Sequence, residues 1–361
     1  MLFAGILGWA GDVYLGPGVS FFTSSVGGGL GWFILGGESV RVQDLPEDGG
    51  KDAKFVVDRV SRVKSIIEAI ESKKGEVKYL QKRDALSEKR DTIINKIHDE
   101  TYLNSLTKTT ENCATTNKPQ RLRQSYSRTL VDKYSSSAAL SAASAWMHCV
   151  STSTKTSPSF AIVRPPSHHA TKQRGMGGCL INSVATAAFY AMEKYENIGI
   201  IDFDAHHGNG IANCVEDERR IRFVSIHEYT KMGGGKRPEY DPRSPDKRDS
   251  GPNGNILNVE LGKGAGGEEM KEGLNEGLDF LKGCDVLLIA AGFDSHALDV
   301  TSNLLLKSSD YKMVGNILRD FGKPLVIGLE GGYTQFLEGE NSNSVLSDCL
   351  LYFVDGIEGR N

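Results

Sequence analysis

The sequence predicts an α/β fold in which helices cover both faces of a buried parallel sheet. Three observations carry this. From residue 136 onward, short apolar runs alternate with segments of helical periodicity. The runs lack the two-residue alternation of a strand with one wet face, so both of their faces are expected to be buried. The polar residues able to do chemistry follow the runs directly, which puts them at one rim of the sheet.

Each element has its own justification. Residues 13–37 carry no charge and are broken by LGPG and SSVGGGLG. That composition suits a Gly-rich buried strand-and-loop region better than a membrane span. No Lys or Arg precedes Arg41, so neither a basic signal region nor an Arg-rich transit peptide is expected. RVSRVKSIIEAIESKKG, 59–75, has the apolar spacing of an amphipathic helix. Residues 76–100 are strongly charged and read as helical. Residues 104–128 are polar, Thr/Asn-rich and locally basic, and read as a surface insertion with a solvated face. SAALSAASAWMHC predicts an Ala-rich helix. The expected strands are 160–163, 198–203, 222–226, 256–261, 285–291 and 324–329, with helices at 179–196, 268–283 and 308–322.

The bulk numbers bound the function. At 361 residues the chain could hold one large domain or two. One domain, 1–361, is expected, with 1–58 as a divergent N-terminal region. Hydrophobic content of 39% and charged content of 24% are ordinary for a globular protein. A net charge of −4 gives no electrostatic reason for tight nucleic-acid binding. The six cysteines are scattered and form no CxxC pair, which fits a reduced protein rather than a disulfide framework or zinc finger.

The chemistry concentrates at four strand ends. In IDFDAHHGNG, 201–210, Asp204 and His206 are two residues apart, and on extended chain they share a side. A second run ends in AAGFDSH with Asp294. Asp204, His206 and Asp294 make a three-ligand site for Zn²⁺ that leaves a position for water and substrate. Two carboxylates formally neutralise the ion, so activating water calls for a nearby base. His168 and His169, in RPPSHHA, are the candidates, and Asp202 is placed to orient one imidazole. Gly331-Gly332-Tyr333 ends the last strong run. A well-aimed Tyr hydroxyl contributes on the order of 3 kcal/mol to a developing oxyanion. Each motif alone has an ordinary explanation: a polar strand end, a surface His pair, a packed Tyr. Four strand ends loaded in this way are hard to explain as packing.

RPPSHHA, GMGGCLINSVA, DFDAHHGNG, VSIHEY, AAGFDSH and LEGGY, in this order, resemble the zinc-dependent histone deacetylase family, which includes acetylpolyamine and acetoin-utilisation amidohydrolases. The likeness spans residues 59 to 335, strongest after 160, and Glu330 in LEGGY is class II-like. The resemblance implies a three-layer α/β/α arginase/deacetylase fold around a largely parallel sheet of eight strands. It implies Zn²⁺-dependent removal of acetyl or other acyl groups from lysine side chains of histones or other proteins. Asp204, His206 and Asp294 would hold zinc. His169 would be the base and His168 its electrostatic partner, with Asp202 behind His168 and Asn209 behind His169. Tyr333 would polarise the acyl carbonyl. Asp202, Asp204, His206, Ser225 and Ile226 would hold a structural K⁺. Gly177, Gly178, Gly331, Gly332 and Thr301 would line the substrate channel. Expected partners are acetylated lysines of histone tails or non-histone proteins and a corepressor-type complex in chromatin regulation. Sequence-specific nucleic-acid binding and membrane association are not expected, and the expected location is nucleus or cytoplasm.

The departures from the family pattern bear on substrate. Ser167 stands where the family has Gly. Gly177-Gly178-Cys179 stands where the family has Gly-Phe-Cys, so one aromatic wall of the acyl-lysine channel is missing. The opposite aromatic falls in MGGGK, 232–236, and is missing too. Val300-Thr301-Ser302 replaces the usual Asp-Pro-Leu-Gly, and no His-Pro-Glu rim segment is recognisable. A small-molecule amidohydrolase of the acetylpolyamine type would want a rim carboxylate where Thr301 stands. A non-catalytic acetyl-lysine-binding scaffold would not need the full set of catalytic residues. A binuclear manganese ureohydrolase would need further Asp ligands where Gly208 and His296 stand.

Overall fold

A computed structural model describes residues 19–23, 31–36, 60–74, 86–125, 129–229, 250–333 and 342–360. The elements are β1 (Val19–Thr23), β2 (Gly31–Gly36), α1 (Val60–Lys74), α2 (Ser87–Ile97), α3 (Glu100–Thr116), β3 (Gln120–Arg121), β4 (Leu130–Val131), α4 (Ser135–Thr152), β5 (Ser159–Val163), α5 (Ser183–Ala191), β6 (Ile198–Asp202), α6 (Asn209–Val215), β7 (Ile221–Glu228), β8 (Ile256–Leu261), α7 (Gly267–Phe280), β9 (Val286–Ala291), α8 (Asp310–Asp320), β10 (Leu325–Leu329) and α9 (Ser342–Glu358).

Eight strands form one sheet in the order β1-β2-β5-β10-β9-β6-β7-β8. The β1–β2 pair is antiparallel, and every other neighbouring pair is parallel. This is the largely parallel sheet expected, and the Gly-rich 13–37 region supplies the two strands at one end of it, β1 at the edge and β2 beside β5. All six strands expected after residue 136 are present. Their alternate residues pack to opposite sides. Phe160, Ile162, Leu287 and Ile289 join a core with α1, α7, α8 and α9. Ala161, Val163, Leu288 and Ala290 join a second core with α4, α5 and α6. Burial on both faces is why these runs show no polar alternation. Among the described residues, no helix is long and apolar enough to cross a membrane.

Part of the surface insertion expected at 104–128 is helical. Residues up to Thr116 are α3, whose Tyr102, Leu106, Thr110 and Cys113 are buried, and Gln120–Arg121 pairs with Leu130–Val131. Spacing of four, four and three residues gives one helical face, but Thr and Cys fill half of it, so the segment read as polar. Residues 75–85 and 230–249, which include the MGGGK segment, lie outside the described residues. All six cysteines are buried and free, as the reduced reading expected.

Candidate active site and metal centre

The parallel strands point their carboxyl ends to one rim, and β5, β10, β9 and β6 are consecutive there. Each delivers one of the four motifs. In register, Asp202 of β6 lies beside Ala290 of β9. The loops leaving these neighbours therefore bring Asp204 and Asp294 together, 90 residues apart in sequence though they are.

Asp204, His206 and Asp294 offer ligand atoms that all lie within 4.8 Å of one another. His206 Nδ1 is 3.0 Å from Asp204 Oδ1 and 2.9 Å from Asp294 Oδ2. Its Nε2 is 3.2 Å from the Thr301 carbonyl, which fixes Nε2 as a donor when the ring is neutral and leaves the Nδ1 lone pair facing the carboxylates. Other oxygens of the two Asp residues are held by backbone: Asp294 Oδ1 accepts from Ala205 N at 2.8 Å, and Asp204 Oδ2 from Gly331 N at 2.7 Å. Gly331 is required there, because a Cβ would sit 2.3 Å from Asp204 Oδ2 and 2.4 Å from Asp294 Oδ2. Burial opposes ionisation of Asp294, and the Asp204 charge adds to it, so its carboxyl is raised to about 7. Burial opposes the His206 cation, but hydrogen bonds to both carboxylates win and hold its pKa well above the usual range. A buried pair of carboxylates with one imidazole, short of positive charge, fits a divalent ion of zinc type. Loading would displace the proton from His206.

Beside this triangle the two dyad rings stack, with centroids 3.9 Å apart. His168 Nδ1 is 3.0 Å from Asp202 Oδ2, and His169 Nδ1 is 2.7 Å from Asn209 Oδ1. A carboxylate behind one ring and an amide oxygen behind the other set the two apart. Burial disfavours the charge on His168, but Asp204, Asp202 and Glu330 outweigh it and raise the pKa to about 10. Burial and then the charges of His168 and His206 push His169 well below 6.5. His168 is thus the cation and His169 the neutral ring with Nε2 free to accept a proton.

Tyr333 follows the Gly pair. Its amide donates to Asp299 Oδ2, and its ring lies 5.2 Å from the Arg62 guanidinium. Gly177 and Gly178 are exposed, and a Cβ on Gly177 would meet His169 Cδ2 at 2.7 Å, which puts this turn against the His169 ring. Gly178, at φ +86°, has no heavy atom of the described residues within 4 Å of a built Cβ. Gly331 and Gly332 are buried, Gly331 behind the metal carboxylates and Gly332 against Phe293 and Leu346. Thr301 turns its hydroxyl onto Asp299 Oδ1 at 2.6 Å and its carbonyl onto His206. Asp202 and Ser225 are partners in register, with Ile226 next in β7. Gly208 N contacts Ser225 Oγ at 3.2 Å.

Sequence reasoning missed two residues. Arg62 is fully buried in α1. Its guanidinium donates to the carbonyls of Gly331 and Gly332 at 2.8 Å and to that of Glu330. The available signal was an Arg four and eight residues before Ile66 and Ile70, on the apolar face. Asp299 binds Thr301 and Tyr333; a lone Asp in an apolar-rimmed loop carried no signal by itself.

A family model described as the histone deacetylase domain matches residues 56–349. The chain is 32% identical to histone deacetylase 10, chloroplastic, of Oryza sativa subsp. japonica over 207 residues, 54% of this chain and 44% of that protein. It is 29% identical to the acetylpolyamine amidohydrolase of Mycoplana ramosa over 177 residues, 48% of this chain and 51% of that protein. The matches thus span about half the length of these curated relatives. The crystal structure of the HDA15 HD domain superposes with a TM-score of 0.69 at 23% identity, covering 84% of this chain and 82% of that one, a likeness of fold.

Proposed function

This chain belongs to the histone deacetylase family, and on that premise we propose that it is a zinc-dependent hydrolase removing acyl groups from lysine side chains of proteins. The observation that carries the reading is the Asp204–His206–Asp294 triangle beside a neutral His169. A zinc ion held by these three residues would polarise the acyl carbonyl and acidify a bound water. His169 Nε2 takes the proton of the attacking water, and Asn209 keeps its Nδ1 proton in place. The His168 cation, anchored on Asp202, favours the negative charge that develops and opposes protonation of His169 until the water attacks the carbonyl. The dyad then returns a proton to the leaving amine. Tyr333 donates its hydroxyl to the oxyanion, on a loop pinned by Arg62 and Asp299. Asp202, Asp204, His206, Ser225 and Ile226 supply hard oxygen donors suited to K⁺ behind the zinc ligands. Acetylated histone tails or other proteins, a corepressor-type complex and a nuclear or cytoplasmic site of action belong to the same proposal.

Gly178 in place of an aromatic wall favours acyl-lysine bearing a bulky or activated acyl group over plain acetyl-lysine. A panel of acetyl-, trifluoroacetyl- and longer acyl-lysine peptides, with acetylspermidine beside them, tests this. Faster turnover of acetylspermidine than of every peptide would replace the protein-substrate reading with the small-molecule one. Gly178→Phe separates wall from backbone. The positive φ costs folded stability by about 1–3 kcal/mol whether or not substrate is bound. The restored wall adds apolar contact worth roughly 1–2 kcal/mol, a KM for acetyl-lysine about 5- to 30-fold lower. A variant with lower Tm and lower KM is expected; a KM unchanged or raised would mean that another segment already fills the gap.

Tyr333→Phe removes one hydroxyl. The expected result is a kcat lower by about 10² with KM little changed. Equal kcat in variant and wild type would return Tyr333 to a packing role.

A further inference from the structure

Glu330 and Ser167 make an arrangement that the roles above do not use. Glu330 is the first residue after β10, and Ser167 precedes the dyad after β5. They are 0% and 1% exposed. Glu330 Oε2 accepts the backbone N–H of Ser167 at 2.6 Å and of His168 at 3.1 Å, while Oε1 accepts the Ser167 hydroxyl at 2.7 Å. The backbone of Glu330 is itself fixed: its N–H donates to the Ala291 carbonyl at 2.9 Å, and its carbonyl accepts from Arg62. A fully buried carboxylate is costly unless its oxygens find donors. Here the donors come from the turn that carries both catalytic rings, and the acceptor from the loop that carries Tyr333. A glycine at 167 would leave Oε1 without its hydroxyl.

We propose that Ser167 and Glu330 are a positioning pair for the reaction: the hydroxyl orients the carboxylate, and the carboxylate holds the His168 backbone, and with it both dyad rings, at a fixed place relative to Tyr333. The pair touches no reacting atom. It acts through hydrogen-bond geometry, and it accounts for a serine and a glutamate standing together in this chain. The proposal rests on the hydrolase reading.

Glutamine at 330 can keep every contact, since its oxygen faces the two backbone donors and its NH₂ turns to the serine oxygen. Alanine can keep none. Zinc-loaded variants matched to wild type in metal content are compared on the best acyl-lysine peptide. Glu330→Ala is expected to lower kcat about 30-fold or more with KM within about twofold, and Glu330→Gln to stay within about fivefold of wild type. Ser167→Ala should lower kcat about fivefold alone and add nothing to Glu330→Ala, because its hydroxyl acts through the missing carboxylate. A downfield proton resonance of the His168 Nδ1–H should be kept by Glu330→Gln and shifted or broadened by Glu330→Ala. Multiplicative losses in the double variant, or Glu330→Gln as damaging as Glu330→Ala, would overturn the pair. If Glu330→Ala does not fold, Ser167→Ala decides: an unchanged kcat and unchanged resonance overturn the proposal. If wild type turns over no substrate of the panel, the hydrolase reading fails, and the resonance still tests the pair.

Discussion

Replacing Asp294 with Asn will give a folded protein that no longer retains zinc. The fold survives because Asn Oδ1 can accept from Ala205 N as Asp294 Oδ1 does. The metal is lost because a neutral amide replaces one of two anionic ligands, and affinity should fall by at least about 10². The metal-free proteins should differ in the opposite direction. Burial and the Asp204 charge raise Asp294 from 3.8 to about 7. A folded-state pKa above the unfolded value means stability lost as pH rises through that window, so at pH 8 the charged carboxylate destabilises the metal-free fold. Asn removes that charge. At pH 8 the metal-free variant should melt at or above metal-free wild type, and zinc should raise the Tm of wild type alone. Chelation should abolish wild-type activity and zinc should restore it. A variant that keeps zinc through dialysis, or a chelated wild type at full activity, would end the zinc reading.

The second large effect belongs to His169. His169→Ala removes the ring whose Nε2 accepts the proton, and kcat should fall by about 10²–10⁴ with zinc content unchanged. His168→Ala should also be damaging, through loss of the cation on Asp202 rather than of the base. The measurement is single-turnover hydrolysis of a trifluoroacetyl-lysine peptide by the zinc-loaded variants. A His169→Ala enzyme within about threefold of wild type would place the base on another residue.

Much of this site is legible in the sequence because its residues sit at strand ends. An apolar run ending in Asp-x-His marks a strand end that carries two candidate ligands, although Asp204 and His206 lie in the bend just past β6, and the runs themselves coincide with strands of the structure to within a few residues. What sequence cannot supply is adjacency of strands. Nothing local says that β6 lies beside β9, which is what brings Asp294 to His206. The same limit hid Arg62, whose partners lie some 270 positions away. Helix α3 was misread for a different reason: its buried face contains Thr110 and Cys113, and a half-polar stripe carries little periodic signal. Gly331 was assigned to a channel because glycine marks close approach of backbone to something, and only the packing shows that the something is a pair of carboxylates.

The reach of Arg62 bears on how the enzyme comes into being. On the ribosome, α1 emerges long before residues 330–332, and until then its guanidinium has none of the three carbonyls that receive it. Those carbonyls belong to the residues directly after β10, so the contacts of α1 to them form only once that segment is in place. The same contacts tie the loop bearing Tyr333 to α1. A chain ending before residue 330 would lack these contacts and also the Gly331 N–H that holds Asp204 Oδ2, so the carboxylate cluster and the loop bearing Tyr333 are completed together, late in synthesis.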